Sequence, residues 1–140
     1  MNETAACLSG IAPLILQVAQ VIERRLEEVL GRIDLSPPKF GALTQLVQTG
    51  EPLHLSELAS RMTCVRSNIT QLVDRLEADG LVRREEDPKD RRGVKAAITT
   101  AGRERQAAGA KIWMEFEEEV SKALAGIDRK ILERALEAFR

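Results

Sequence analysis

At 140 residues, 44% of them hydrophobic, the chain is one domain's worth of sequence with enough apolar content to bury a core. It has no Tyr, three Phe and one Trp, which argues against aromatic stacking platforms for single-stranded nucleic acid; two distant cysteines, Cys7 and Cys64, and a single histidine, His54, exclude a structural zinc site or a His-based metal sensor. The net charge of -1 is unevenly spread: Arg61 to Lys95 holds 9 Lys/Arg against 7 Asp/Glu, and the remainder 12 against 15, so the basic excess sits in one central stretch.

The N-terminus lacks the basic start of a secretory signal, and the apolar run after it is broken by Gln17, Gln20 and Glu23, so a cytoplasmic protein with no membrane span is expected. A long first helix is predicted from Cys7 to Arg32, with Leu8, Ile11, Ile15, Val18, Ile22, Leu26, Val29 and Ile33 in steps of three and four and with Leu14, Val21 and Leu30 widening the stripe. One small domain has difficulty covering so broad a face, which points to packing on another subunit. Ser36 as cap and Pro37 at the first helical position start a second helix, which runs to Thr49 and stops at Gly50. Leu53 to Leu55 is short and apolar and is expected to add a third strand beside a hairpin, with His54 an ordinary strand residue. Ser56 then opens a short helix to Met62, with Leu58, Ala59 and Met62 inward. A tight turn at Thr63 and Cys64 leads to a helix from Val65 to Ala78, closed by Gly80; two short helices on a tight turn form a helix-turn-helix.

On the second of those helices Val65, Ile69, Leu72, Val73 and Leu76 fall on one side. Arg66, Ser67, Asn68, Thr70, Gln71 and Arg75 occupy the rest, a set of side chains suited to base edges. Asp74 is discordant, since phosphate repels a carboxylate; it is expected beyond the groove or paired with a hairpin arginine. Residues 81 to 100, LVRREEDPKDRRGVKAAITT, read as two strands, with Val94, Ala96 and Ile98 alternating with Lys95 and Ala97, holding out a loop of turn formers and two adjacent arginines. Helix and basic hairpin together form the signature of a winged helix-turn-helix. Thr99 and Thr100 cap a long helix from Ala101 to Ala123, with Ile112, Trp113, Phe116 and Val120 apolar. After Gly126 a last helix, Asp128 to Phe139, carries Ile131, Leu132, Ala135, Leu136 and Phe139. The expected class is mainly α with a small β-hairpin wing (α+β): one domain over 1–140, with a DNA-binding lobe at 36–100 and dimerisation helices at 1–33 and 101–140.

The text LSELASRM followed by RSNITQLVDRLEADGLVRREEDPKDRRGVKAAITTAG, nearly continuous from Leu55 to Gly102, resembles the MarR family of bacterial transcription regulators. The resemblance implies a homodimer that binds double-stranded DNA at a pseudo-palindromic operator, commonly as a repressor released by a small-molecule effector or an oxidant. It implies that Arg66, Ser67, Asn68, Thr70 and Gln71 enter the major groove with Arg75 near phosphate, and that Arg91 and Arg92 form the wing pair. Asp90 would hold that pair in place, Arg83 and Arg84 would flank the wing and touch the DNA backbone, and Lys89 would bind DNA from the wing with them. Two positions depart from the family pattern: Val65 stands where a capping Ser is frequent, so the cap must come from elsewhere or from water, and Thr63 stands where Gly is common. Cys7 is placed for a redox role, but the supporting tyrosines of oxidant-sensing relatives have no counterpart here. The alternative reading is a winged-helix module that binds protein. No enzyme is expected, because Cys7 with His54 is the only candidate dyad, and neither a cofactor nor a metal is expected.

Overall fold

A computed structural model describes residues 9–62, 68–90 and 93–140. In chain order these form α1 (Ile11–Gly31), α2 (Pro37–Thr49), β1 (Leu53–His54), α3 (Leu55–Arg61), α4 (Ile69–Ala78), β2 (Val82–Glu86), β3 (Val94–Ile98), α5 (Thr100–Ala123) and α6 (Arg129–Ala138). The fold is therefore mainly helical with one small antiparallel sheet, ordered β1-β3-β2.

Local signals fix most of the boundaries. Ser36 Oγ accepts the Lys39 N–H at 3.4 Å with Pro37 behind it, and Asp128 caps α6 by accepting from Lys130 N–H. Left-handed glycines, Gly50 and Gly80, end α2 and the turn after α4. The expected third strand is present, with Leu53 opposite Ala96 and His54 opposite Lys95, although Leu55 already belongs to α3. Two expectations of burial fail. Ala59 is exposed, because Leu58 and Met62, four residues apart, define the inward line of this short helix and Ala59 lies about 100° off it. In β3 both Ala96 and Ala97 are buried while Val94 is 40% exposed: successive strand residues face opposite sides, so both faces are covered in mid-strand and the loop end is not.

The core lies in the lobe between α2 and β3, with Leu43, Leu46, Leu58, Val73, Leu76 and Leu81 fully buried. From α1 only Val29 and Leu30 are buried; Ile11, Leu14, Ile15, Leu16, Val18 and Val21 stay exposed, and Leu8 lies outside the described residues. The end of α1 is joined to α5 by Arg105, whose guanidinium donates to Ile33 O at 2.8 Å, and higher up by the Arg25–Glu119 pair at 3.1 Å. Phe40 of α2 stacks on Trp113 of α5 at 6.2 Å between ring centroids.

One close approach locks the hairpin to α5. Thr99 Oγ1 accepts the Gly102 N–H at 3.0 Å, capping α5, and donates to Gly80 O at 2.7 Å, while Thr99 N–H donates to Leu81 O. This draws the helix start so near the α4–β2 turn that a Cβ on Gly102 would stand 2.1 Å from Leu81 O and 2.7 Å from Ile98 Cγ1. Because the obstacle is backbone, Gly102→Ala is expected to lower stability by about 1 to 3 kcal/mol, seen as a lower urea midpoint with unchanged slope. A wild-type midpoint would show that the turn yields without cost.

Candidate nucleic-acid interface

The exposed surface of α4 is polar because its apolar residues are committed to the lobe: Leu72, Val73 and Leu76 are buried, leaving Thr70, Gln71, Asp74, Arg75 and Ala78 outside. Sequence periodicity carries the helix back to Val65, but the first helical residue is Ile69. Asn68 is the cap, in extended conformation, with its side-chain oxygen accepting the Gln71 N–H at 3.4 Å. Asn is among the best N-cap residues, and Val65 has no acceptor, so the cap falls three residues later than the apolar pattern suggests. The expected turn at Thr63 and Cys64, the expected helix start at Val65 and the candidate contacts Arg66 and Ser67 lie outside the described residues, as do Cys7 and the wing pair Arg91 and Arg92.

Helix and hairpin are tied together through Arg84. Its guanidinium pairs with Asp74 and, at 3.1 Å, with Glu77, while Glu77 also takes the Arg84 backbone N–H at 3.0 Å. Asp74 thus takes the second of the two places open to it, beside a hairpin arginine. The hydrogen bond to Asp74, before any other influence, raises the Arg84 pKa, so the guanidinium of this link stays charged. Arg83 pairs along the strand with Glu85 at 2.9 Å, and Lys89 and Arg75 are exposed.

The hairpin runs from Val82 opposite Ile98 to Glu86 opposite Val94 and closes through a loop organised by Asp87. Asp87 Oδ1 accepts the Lys89 N–H at 3.0 Å, the two-residue reach of an Asx turn, and Asp87 O accepts the Asp90 N–H at 3.2 Å. Asp87 Oδ2 lies 3.5 Å from His54 Nε2 and 3.6 Å from Lys95 Nζ. The Lys89 N–H first, then Lys95 and His54, hold the Asp87 carboxyl below its ordinary range against some desolvation. Asp90, the residue singled out in the sequence, contributes its backbone: its carbonyl accepts the Gly93 N–H at 3.2 Å. Sequence reasoning counted Asp87 only as a turn former; its place just before Pro88, with a free amide two residues on, was the available signal.

Among the described residues no group of His, Cys, Asp or Glu is placed to hold a metal, and no helix is long and apolar enough to cross a membrane.

Two short helices, a three-stranded sheet and a hairpin with a charged loop define a winged helix-turn-helix protein. The MarR family model matches residues 35–94. The chain is 41% identical over 69 residues to the HTH-type regulator YkoM of Bacillus subtilis, covering 49% of this chain and 44% of that one. It is 30% identical over 105 residues to the multiple antibiotic resistance protein MarR of Escherichia coli, covering 73% and 72%. Among solved structures, a variant of Escherichia coli MarR complexed with operator DNA superposes with a TM-score of 0.77 at 27% identity, covering 92% of this chain and 94% of that one. The chain belongs to the MarR family. It spans 64% and 65% of the length of two further curated relatives from Bacillus subtilis, and less than half of YkoM.

Proposed function

We propose that this protein is a homodimeric, sequence-specific duplex-DNA-binding transcription regulator of the cytoplasm, acting as a repressor of a pseudo-palindromic operator. The observation that carries this reading is the coupling of an exposed polar helix face to a basic hairpin through Arg84, in a family whose Escherichia coli member was solved with operator DNA. In this reading the first turn of α4 enters the major groove, where Gln71 and Thr70 meet base edges. Arg75, Lys89, Arg91 and Arg92 neutralise phosphate. Arg84 is already held by two carboxylates, so its part is to fix the wing strand against the helix. Release by a small molecule or an oxidant belongs to the same reading.

Dimerisation is supported by the apolar surface of α1 and α6. A groove of about 470 Å³ between α1 and α5, lined by Leu14, Val18, Val21, Phe116 and Val120, continues that surface. A second copy would cover it. The alternative, a protein-binding winged helix, rested on low net charge and on Asp74, and Asp74 is neutralised by Arg84.

Footprinting on the DNA flanking the protein's own coding region should give a protected palindrome, with half-sites about one helical turn apart. Two neighbouring substitutions should then part company. Gln71→Ala should cost on the order of 1 to 3 kcal/mol on that operator and little on random duplex, since it removes a base contact. Asn68→Ala should instead lower the stability of the fold by about 1 kcal/mol and weaken binding to both DNAs alike, because it removes the cap of α4. Equal losses on operator and random DNA for Gln71→Ala would show that it reads no base.

A further inference from the structure

We propose that His54, the only histidine of the chain, is a positioning residue for the wing, holding the two ends of its loop through one imidazole. The sheet brings β1 against β3, and at this edge His54 touches both the entry and the exit of the loop that departs after β2. At the entry its Nε2 faces Asp87 Oδ2 at 3.5 Å, with Lys95 Nζ on the same oxygen at 3.6 Å. At the exit the ring lies so close to Gly93 that a Cβ there would stand 2.3 Å from its Cε1 and Nδ1. Both side chains are largely covered, His54 at 21% exposure and Asp87 at 16%.

Where the strands give way to the loop, the bond from Asp87 N–H to Gly93 O is long, at 3.4 Å. An outside anchor therefore matters. Asp87 divides its carboxylate between the loop and the sheet, Oδ1 on the Lys89 N–H and Oδ2 toward His54 and Lys95. Its lowered pKa fits a carboxylate held ionised between these partners. Through Asp87 the imidazole transmits the position of the helix-turn-helix to the loop on which Lys89, Arg91 and Arg92 stand. Its importance for binding rests on the proposed reading of that loop as the phosphate-contacting wing.

The test uses the full chain and two readouts, amide hydrogen exchange at Lys89, Asp90 and Gly93 without DNA, and affinity for a random duplex of about 30 base pairs, long enough for two half-sites. His54→Leu keeps the volume and loses the N–H, whereas His54→Gln keeps an N–H that can reach Asp87. Gly93→Ala pushes the ring off its seat. His54→Leu and Gly93→Ala should each speed exchange in the loop about fivefold, the loss of one close polar contact, with α2 unchanged, and should weaken duplex binding by a similar factor. His54→Gln should restore most of both, and combining His54→Leu with Gly93→Ala should be no worse than either alone. Unchanged loop exchange in His54→Leu, a glutamine no better than leucine, or additive losses in the double variant would each overturn the proposal. The expected exchange pattern in a chain whose wild type binds no duplex would uphold the anchor and overturn the DNA reading.

Discussion

On the proposed dimeric reading, replacing Leu132 and Leu136 together by Asp is expected to leave monomers of 15.5 kDa and to weaken binding to a two-half-site operator by about 100-fold or more, the loss of linked half-sites. Helix α6 buries none of its residues within the chain. Ile131, Leu132 and Leu136 are each 49% exposed or more, and Phe139 is 93% exposed. Full burial of such side chains is worth about 1.5 to 3 kcal/mol each, so covering this stripe by a second surface would stabilise it. The exposed part of α1, with Leu14, Ile15, Val18 and Val21, offers one on a second copy. Because no residue of the lobe's core comes from α6, the monomers should keep their helical content and the folded lobe. Light scattering gives the mass and a titration on the footprinted operator gives the affinity. A double variant that remained dimeric with full binding would show that α1 suffices; a folded monomer that bound the whole palindrome with wild-type affinity would sink the dimer.

What the sequence made legible was whatever a single residue decides locally. Ser36 with Pro37, Gly50, Gly80 and Thr99 act on the backbone within a few residues of themselves, and the structure uses each at the expected place. The long stripe of α1 was legible as a stripe, but periodicity says which side is apolar and not what covers it, and only the last turn enters this chain's core. The cap at Asn68 was not legible, because a short polar side chain competing for a backbone N–H leaves no mark on the apolar period. The pairings that organise the candidate interface join residues apart in sequence, Arg84 with Asp74 and His54 with Asp87, so they depend on how β1, β2 and α4 are brought together. Only Asp74 announced itself, by being the wrong charge for its surroundings.

That charge pattern sharpens what the wing should do. In the strands of the hairpin Arg83 is matched by Glu85 and Arg84 by Asp74 and Glu77, so neither strand arginine brings an uncompensated charge to a phosphate. The sequence between Asp87 and Gly93 places Lys89, Arg91 and Arg92 in the loop against a single further carboxylate, Asp90. Counterion release scales with the phosphates neutralised, so most of the wing's share of the salt dependence should come from this loop. Replacing Arg91 and Arg92 together by Ala should therefore weaken binding to operator and random duplex alike, and should flatten the plot of log affinity against log salt by roughly 1 to 2 units. Arg83→Ala should leave the slope close to wild type, because an exposed pair loses its carboxylate's counterpart without a phosphate contact being removed. Fluorescence anisotropy over a series of salt concentrations measures both slopes. An unchanged slope in the double variant would rule out the wing's role in phosphate binding, and a loss confined to the operator would mean that these arginines read sequence, most directly through a narrow minor groove.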